Sequence, residues 1–252
     1  MKCLVVAPAR LASTRLPRKS LLNQTGKTLI QHVWEGASKS KLASEVVIAT
    51  DSDEILRAVV EFGGRAIMTS PLCSCGTERV AEAAKSFPDA EIVVNVQGDE
   101  PEISGECVDE AARLLLLDSG RMMATLATPI LERERLEDPA CVKVVFDPTT
   151  QRALYFTRSV VPYPREGVRD EFFDPKTPLF YQHLGIYAYR RDFLLRFCDM
   201  PRSRLEKVES LEQLRVLENG HDIFVGVVSY EGNGIDTPED YARFVQRCRE
   251  AS

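Results

Sequence analysis

Cys3-Leu4-Val5-Val6-Ala7-Pro8-Ala9-Arg10-Leu11-Ala12-Ser13-Thr14-Arg15-Leu16-Pro17-Arg18-Lys19 joins an unbroken apolar run to a basic, proline-bounded loop. A run without polar alternation reads as a strand buried on both faces, which is how strands of a parallel sheet read. The loop leaves the carboxyl end of that strand, where open α/β sheets receive their ligands. Lys2, Arg10, Arg15, Arg18, Lys19 and Lys27 all precede Glu35, the first acidic residue, although the chain carries a formal net charge of −6. Such a loop is either a solvated basic surface or a grip for a polyanion such as a triphosphate, for which arginine supplies forked donors and lysine a mobile point charge.

Working outward, apolar strand candidates recur at residues 46–50, 66–68, 92–96 and 122–127. Between them lie helical patterns at 28–38, 51–62, 77–87 and 105–117; the second opens on Asp51-Ser52-Asp53, good capping chemistry. Strands alternating with amphipathic helices predict an α/β fold with a Rossmann-like, mostly parallel sheet and helices on both faces. The basic loop, the segment after Thr69 and the segment after Val96 should then meet at one rim of the sheet. In the second half, residues 142–146 and 154–156 read as paired strands around Asp147-Pro148-Thr149-Thr150. A proline-rich excursion over 161–178 follows, fitting an interface or a lid. Then come a strand at 183–189, helices at 191–197 and 207–219, a strand at 223–228 and a helix opening at Pro238. No repeat or linker divides the chain, which reads as a single domain over 1–252.

Composition narrows the partners. With 252 residues, 44% hydrophobic and 28% charged, the chain can bury a large core. Its acidic balance argues against a general nucleic-acid binder, which needs a broad basic surface. No segment approaches the ~20 apolar residues of a membrane span, and the N-terminus lacks a signal-peptide layout. Cysteines 3, 73, 75, 107, 141, 198 and 248 are odd in number and form no disulfide framework, so reduced thiols and a cytoplasmic location are expected. A Walker A loop, a GxGxxG turn, a GxSxG elbow and an HExxH helix are all missing, which sets aside P-loop kinases, nicotinamide dehydrogenases and the common hydrolases.

Three constellations carry chemistry. Val94-Asn95-Val96-Gln97-Gly98-Asp99-Glu100-Pro101 is a strand ending in glycine and carboxylates: Gln97 and the Gly98 backbone can read a base or ribose edge, and Asp99 can hold Mg²⁺. The same residues also suit a plain polar turn. Gly234-Ile235-Asp236-Thr237-Pro238-Glu239-Asp240 offers Asp236 as a second metal carboxylate or as a helix cap. His183-Leu184-Gly185-Ile186-Tyr187 and Leu211-Glu212-Gln213-Leu214 set polar residues in apolar surroundings, and of the three histidines His183 is the better ligand contact, although a lone histidine is more often structural.

Together these motifs, in this order and spacing, resemble the 3-deoxy-manno-octulosonate (Kdo) cytidylyltransferase family of sugar nucleotidyltransferases, from about residue 3 to Arg243. The resemblance implies the nucleotide-diphospho-sugar transferase type of fold, with residues 142–190 as a β-rich sugar-pocket and dimerisation subregion. It implies Mg²⁺-dependent transfer of CMP from CTP to the anomeric hydroxyl of Kdo, releasing pyrophosphate, in a cytoplasmic homodimer serving lipopolysaccharide synthesis. Carried over, Arg10, Ser13, Arg15 and Lys19 grip the triphosphate, with Cys75, Gly76, Gln97 and Gly98 completing the CTP site. Lys19, Asp99 and Arg15 are the catalytic set, and Asp99 and Asp236 hold the metal. Arg79, Arg158, His183, Tyr187, Glu212 and Gln213 form the sugar pocket, whose two arginines and histidine suit the carboxylate of an acidic sugar. Cys75 stands where the family carries a serine, and Arg18 where it commonly carries a glycine. Alternatives are another acidic acceptor, an amino-Kdo or a sialic acid, or a non-catalytic nucleotide-binding regulator.

Overall fold

The computed structural model describes residues 2–13, 15–230 and 234–250. The chain forms two compact units, Met1–Ala112 with Gly232–Ser252, and Arg113–Glu231. The division falls inside a helix (Gly105–Leu116), so no linker marks it in the sequence.

The first unit is a four-stranded, all-parallel sheet. Its strands are β1 (Lys2–Ala9), β2 (Ala43–Thr50), β3 (Arg65–Met68) and β4 (Ala90–Asn95), in the order β3-β2-β1-β4. Cys3 to Ala7 of β1 are each no more than 2% exposed, as a strand covered on both faces requires. The helices are α1 (Leu29–Ala37), α2 (Asp53–Glu61), α3 (Gly76–Lys85), the start of α4 (Gly105–Leu116), and α9 (Pro238–Glu250). Their starts follow the expected capping chemistry: Thr28 accepts from Gln31 N–H, and Ser52, the middle residue of Asp-Ser-Asp, accepts from Ile55 N–H. Because the strands are parallel, the segments after Ala9, Met68 and Asn95 emerge at the same edge.

The second unit is mixed. β5 (Met123–Pro129) pairs antiparallel with β8 (Tyr181–Arg190) and parallel with β9 (Ile223–Val227), while β6 (Lys143–Phe146) and β7 (Ala153–Thr157) form the expected hairpin. A short helix, α5 (Arg133–Glu137), was not expected from the sequence; α6 (Arg191–Asp199) was. The proline-rich excursion is anchored: Val160, Val168, Phe172 and Phe173 pack on a core of Ile130, Leu136, Cys141 and Phe180. The single helix expected over 207–219 is instead two, α7 (Arg204–Glu209) and α8 (Leu214–Glu218), broken at Ser210 in the left-handed region with φ 53°. A buried ion pair spans the break, Arg215 Nε donating to Glu206 Oε2 at 2.8 Å.

Candidate active site

The rim of the first unit gathers charged residues from three distant parts of the chain. A small apolar cluster does the gathering. Leu16, from the basic loop, and Ile235, beside Asp236, are buried together with Leu29 of α1 and with Tyr241, Phe244 and Val245 of α9. Burying a leucine or isoleucine contributes about 1.5–3 kcal/mol, enough to hold each charged loop by its apolar neighbour. The Ile235 N–H also donates to the Asp99 carbonyl at 2.9 Å, tying the second carboxylate loop to the first.

At the centre is Lys19. Its ammonium donates to Asp99 Oδ2 at 2.8 Å, to Asp236 Oδ1 at 3.1 Å and to the Ile235 carbonyl at 2.7 Å. Arg15 pairs with the other oxygen of Asp236 at 3.0 Å. Both carboxylates thus pair with cations of the basic loop. Capping of α9 falls to Thr237, whose Oγ1 accepts from Asp240 N–H while Asp240 accepts from the N–H groups of Asp236 and Thr237. The Asp236 side chain is left to the cations, and Asp99 does more than close a turn. Arg18 takes φ 56°, the conformation natural to the glycine expected there, and its side chain turns away from Lys19 to pair with Glu54 of α2.

Pro8, near the end of β1, is where the two segments expected to face the nucleotide converge. A Cβ on Gly98 would lie 2.3 Å from the Pro8 carbonyl oxygen, so only glycine permits this approach. Gly76 opens α3 against the Pro8 ring. Cys75 is the N-cap of α3, its Sγ accepting from Glu78 N–H at 3.5 Å, so sulfur does the capping that a serine hydroxyl would do there. Arg10 donates to the Cys73 carbonyl at 2.8 Å, which ties the basic loop to this segment. Ser13 and Gln97 are half-buried beside them in sequence.

Arg79 is one of the residues expected in the sugar pocket. It is wholly buried, and its guanidinium donates to Asp51 Oδ2 at 2.6 Å and to Thr69 Oγ1, bracing the segments that follow β2 and β3. Its Nε is buried without a hydrogen-bond partner.

The remaining expected sugar residues lie in the second unit. His183, on β8, is 8% exposed and packs edge-on against Phe156 at 5.0 Å. Burial pushes its imidazole down to about 3, so the ring is neutral and cannot supply the positive charge expected of it. Its Nε2 lies 2.9 Å from Thr125 Oγ1, which also reaches the Leu184 and Ile186 carbonyls at 3.2 and 2.7 Å. Tyr187 donates to Gln213 Oε1 at 3.2 Å, and Gln213 Nε2 is buried with no partner, a donor that a ligand oxygen would satisfy. Glu212 is half-buried beside it and lies 3.7 Å from Arg215. Arg158 directly follows β7, and among the described residues only carbonyl oxygens receive its side-chain donors.

The sequence pattern of the cytidylyltransferase family matches residues 4–223. Over 247 residues the chain is 47% identical to the 3-deoxy-manno-octulosonate cytidylyltransferase of Rhodopirellula baltica, covering 98% of each. The chain belongs to the 3-deoxy-manno-octulosonate cytidylyltransferase family. A second member, from Geotalea uraniireducens, is 47% identical over 253 residues, covering 99% of this chain and all of that one. Among solved structures, a CMP:2-keto-3-deoxy-manno-octonic acid synthetase complexed with CTP superposes with a TM-score of 0.91 at 39% identity, each chain covered completely.

Sequence reasoning did not single out Glu209, Thr125, Asp51 or Asp240, the partners that orient the site residues. Thr125 lies in a strand that reads as core, Asp51 just past a strand where it reads as part of a helix start, and Glu209 inside a single expected helix. Nothing local marks them. Among the described residues no three His, Cys, Asp or Glu side chains form a metal cluster, and no helix is long and apolar enough to cross a membrane.

Proposed function

We propose that this chain transfers CMP from CTP to the anomeric hydroxyl of Kdo. One observation carries the mechanism: a lysine from the basic loop sits between two carboxylates 80 and 217 residues away in sequence. Asp99 and Asp236, with the Ile235 carbonyl, form an all-oxygen donor set already filled by a cation. Such a set fits Mg²⁺, which takes one or two carboxylates and completes its shell with phosphate oxygens and water. When bound there, Mg²⁺ would neutralise phosphate charge and polarise the α-phosphate.

The sugar oxygen forms a bond to the α-phosphorus as the bond from that phosphorus to the bridging oxygen breaks. Pyrophosphate departs with the electron pair, and the hydroxyl proton passes to solvent water. Lys19, Arg15 and Arg10 oppose the charge that grows on the leaving pyrophosphate, and Ser13 donates to a phosphate oxygen. Gln97, the Gly98 backbone and the Cys75–Gly76 start of α3 face the nucleoside. Acceptor binding falls to Arg158, the neutral His183, Tyr187, Glu212 and Gln213, with the unpartnered Gln213 amide supporting that assignment. Arg79 serves by bracing the rim. Seven free cysteines support a reducing, cytoplasmic setting, and exposed Tyr163 and Leu154, in the 142–190 subregion, support pairing of two chains as a homodimer.

The test is pyrophosphate release with CTP, Mg²⁺ and Kdo, each omitted in turn, repeated with UTP and with other acidic sugars. Release that needs all three components is the expected result. CTP binding without release from any acceptor would overturn the reading and favour a regulator.

A further inference from the structure

Arg158 is held in an unusual way. Its Nε donates to the Glu209 carbonyl at 2.9 Å and its Nη1 to the Pro139 carbonyl at 3.0 Å. No carboxylate pairs with the guanidinium among the described residues, although Glu209 stands beside it. The Glu209 carboxylate is spent elsewhere: Oε1 accepts from the Thr157 hydroxyl at 2.6 Å and Oε2 from the Arg158 backbone N–H at 3.1 Å. One residue thus fixes Arg158 twice, main chain by side chain and side chain by main chain, and leaves its charge uncompensated.

The second anchor is also firm. Pro139 lies in a loop whose Asp138 and Cys141 carbonyls receive the ammonium of the fully buried Lys143, at 3.0 and 2.7 Å. Held by neutral carbonyls alone among the described residues, the half-buried guanidinium retains Nη2 to donate to an anion such as a carboxylate.

We propose that Glu209 is a positioning residue that presents Arg158 to the carboxylate of the acceptor sugar, and so sets the preference for an acidic acceptor. The proposal rests on the acceptor assignment made above. Losing the carboxylate releases Thr157 and Arg158 from the end of α7, and the Nε bond loosens with them.

The experiment compares Glu209→Ala, Glu209→Gln, Arg158→Ala and the double variant Glu209→Ala/Arg158→Ala by steady-state kinetics. Glu209→Ala is expected to raise KM for Kdo about tenfold, the cost of a lost hydrogen bond to a charged group, with KM for CTP within about twofold. Glu209→Gln, which still offers an oxygen to the Arg158 N–H, recovers most of that loss. In the Arg158→Ala background, Glu209→Ala should add less than about twofold, because the two residues act as one unit. An unchanged acceptor KM in Glu209→Ala, or its full effect retained without Arg158, overturns the proposal.

A substrate-free readout separates this from the acceptor assignment itself. In ¹⁵N-arginine-labelled protein the Arg158 Nε–H, assigned by its disappearance in Arg158→Ala, should exchange slowly in the native chain and rapidly in Glu209→Ala. If the native chain turns over no Kdo, the acceptor reading fails. An Nε–H signal that survives Glu209→Ala unchanged defeats the positioning role whatever the acceptor.

Discussion

Acidification should unmask His183. The ring is 8% exposed, and burial lowers its pKa from 6.5 to about 3. Between those values the unfolded chain holds a proton that the folded chain refuses. The stability this histidine confers is therefore complete above 6.5 and is lost as pH falls toward 3. Within that window the slope is about 1.4 kcal/mol per pH unit, and integration from pH 7 to pH 5 gives a loss of about 2 kcal/mol. A folded value one unit higher hardly alters that figure, because pH 5 would still lie above it. Urea unfolding of the native chain and of His183→Gln at pH 7 and pH 5 isolates the effect. The carboxylates held low by hydrogen bonds, Glu35 and Glu206 among them, are common to both proteins and cancel in the difference. Glutamine can still donate to Thr125 but has no proton to gain, so its stability should fall by about 2 kcal/mol less than the native chain's. Parallel losses in the two proteins would refute the argument, since they would mean that the buried ring does not titrate between the folded and unfolded values.

The rim gives three more expectations. Gly98→Ala drives a methyl group to 2.3 Å from the Pro8 carbonyl oxygen, so a stability loss of about 1–3 kcal/mol in urea and weaker CTP binding by calorimetry are expected; unchanged CTP affinity would refute the close approach. Lys19→Met removes the cation shared by Asp99 and Asp236 and should slow pyrophosphate release about 10²–10³-fold without unfolding the chain, so a rate within about tenfold of native would exclude a transition-state role. Arg18→Gly relieves a φ of 56° and forfeits only an exposed ion pair with Glu54, so stability should rise by up to about 1 kcal/mol with turnover kept; a loss of more than about 1 kcal/mol would mean the ion pair dominates.

The elements of the first unit were legible because their signals are local. An apolar run without alternation, a Ser or Thr ahead of an amphipathic stretch, and proline in a first turn each act within a few residues. The helix over 207–219 misled for the same reason: Val208, Leu211 and Leu214 keep helical spacing straight through Ser210, and no glycine or proline announces the left-handed residue. What holds the break open is Glu206 meeting Arg215 across it, a pairing that only the folded corner brings about. Arg79 shows the same limit from the other side. In sequence it is a cation beside a segment expected to face the nucleotide, and only its contacts with Thr69 and Asp51, 10 and 28 residues away, turn it into a buried brace.

The site was ambiguous residue by residue for a physical reason. Asp99 taken alone suits a turn, Asp236 a cap, and Lys19 a solvated loop, because each of those local uses costs nothing that the sequence nearby could reveal. They become a site only jointly. Leu16 and Ile235, apolar residues with no chemistry of their own, enter one buried cluster with Tyr241 and Phe244, and that burial brings an ammonium within 3.1 Å of two carboxylates. With Arg15 added, two positive charges face two negative ones and the group is neutral. A neutral group gives a triphosphate no net attraction while Lys19 and Arg15 remain occupied by aspartates. On the roles proposed for these four residues, a divalent cation on the aspartates would release both side chains toward the phosphates, and nucleotide binding would then depend on metal binding.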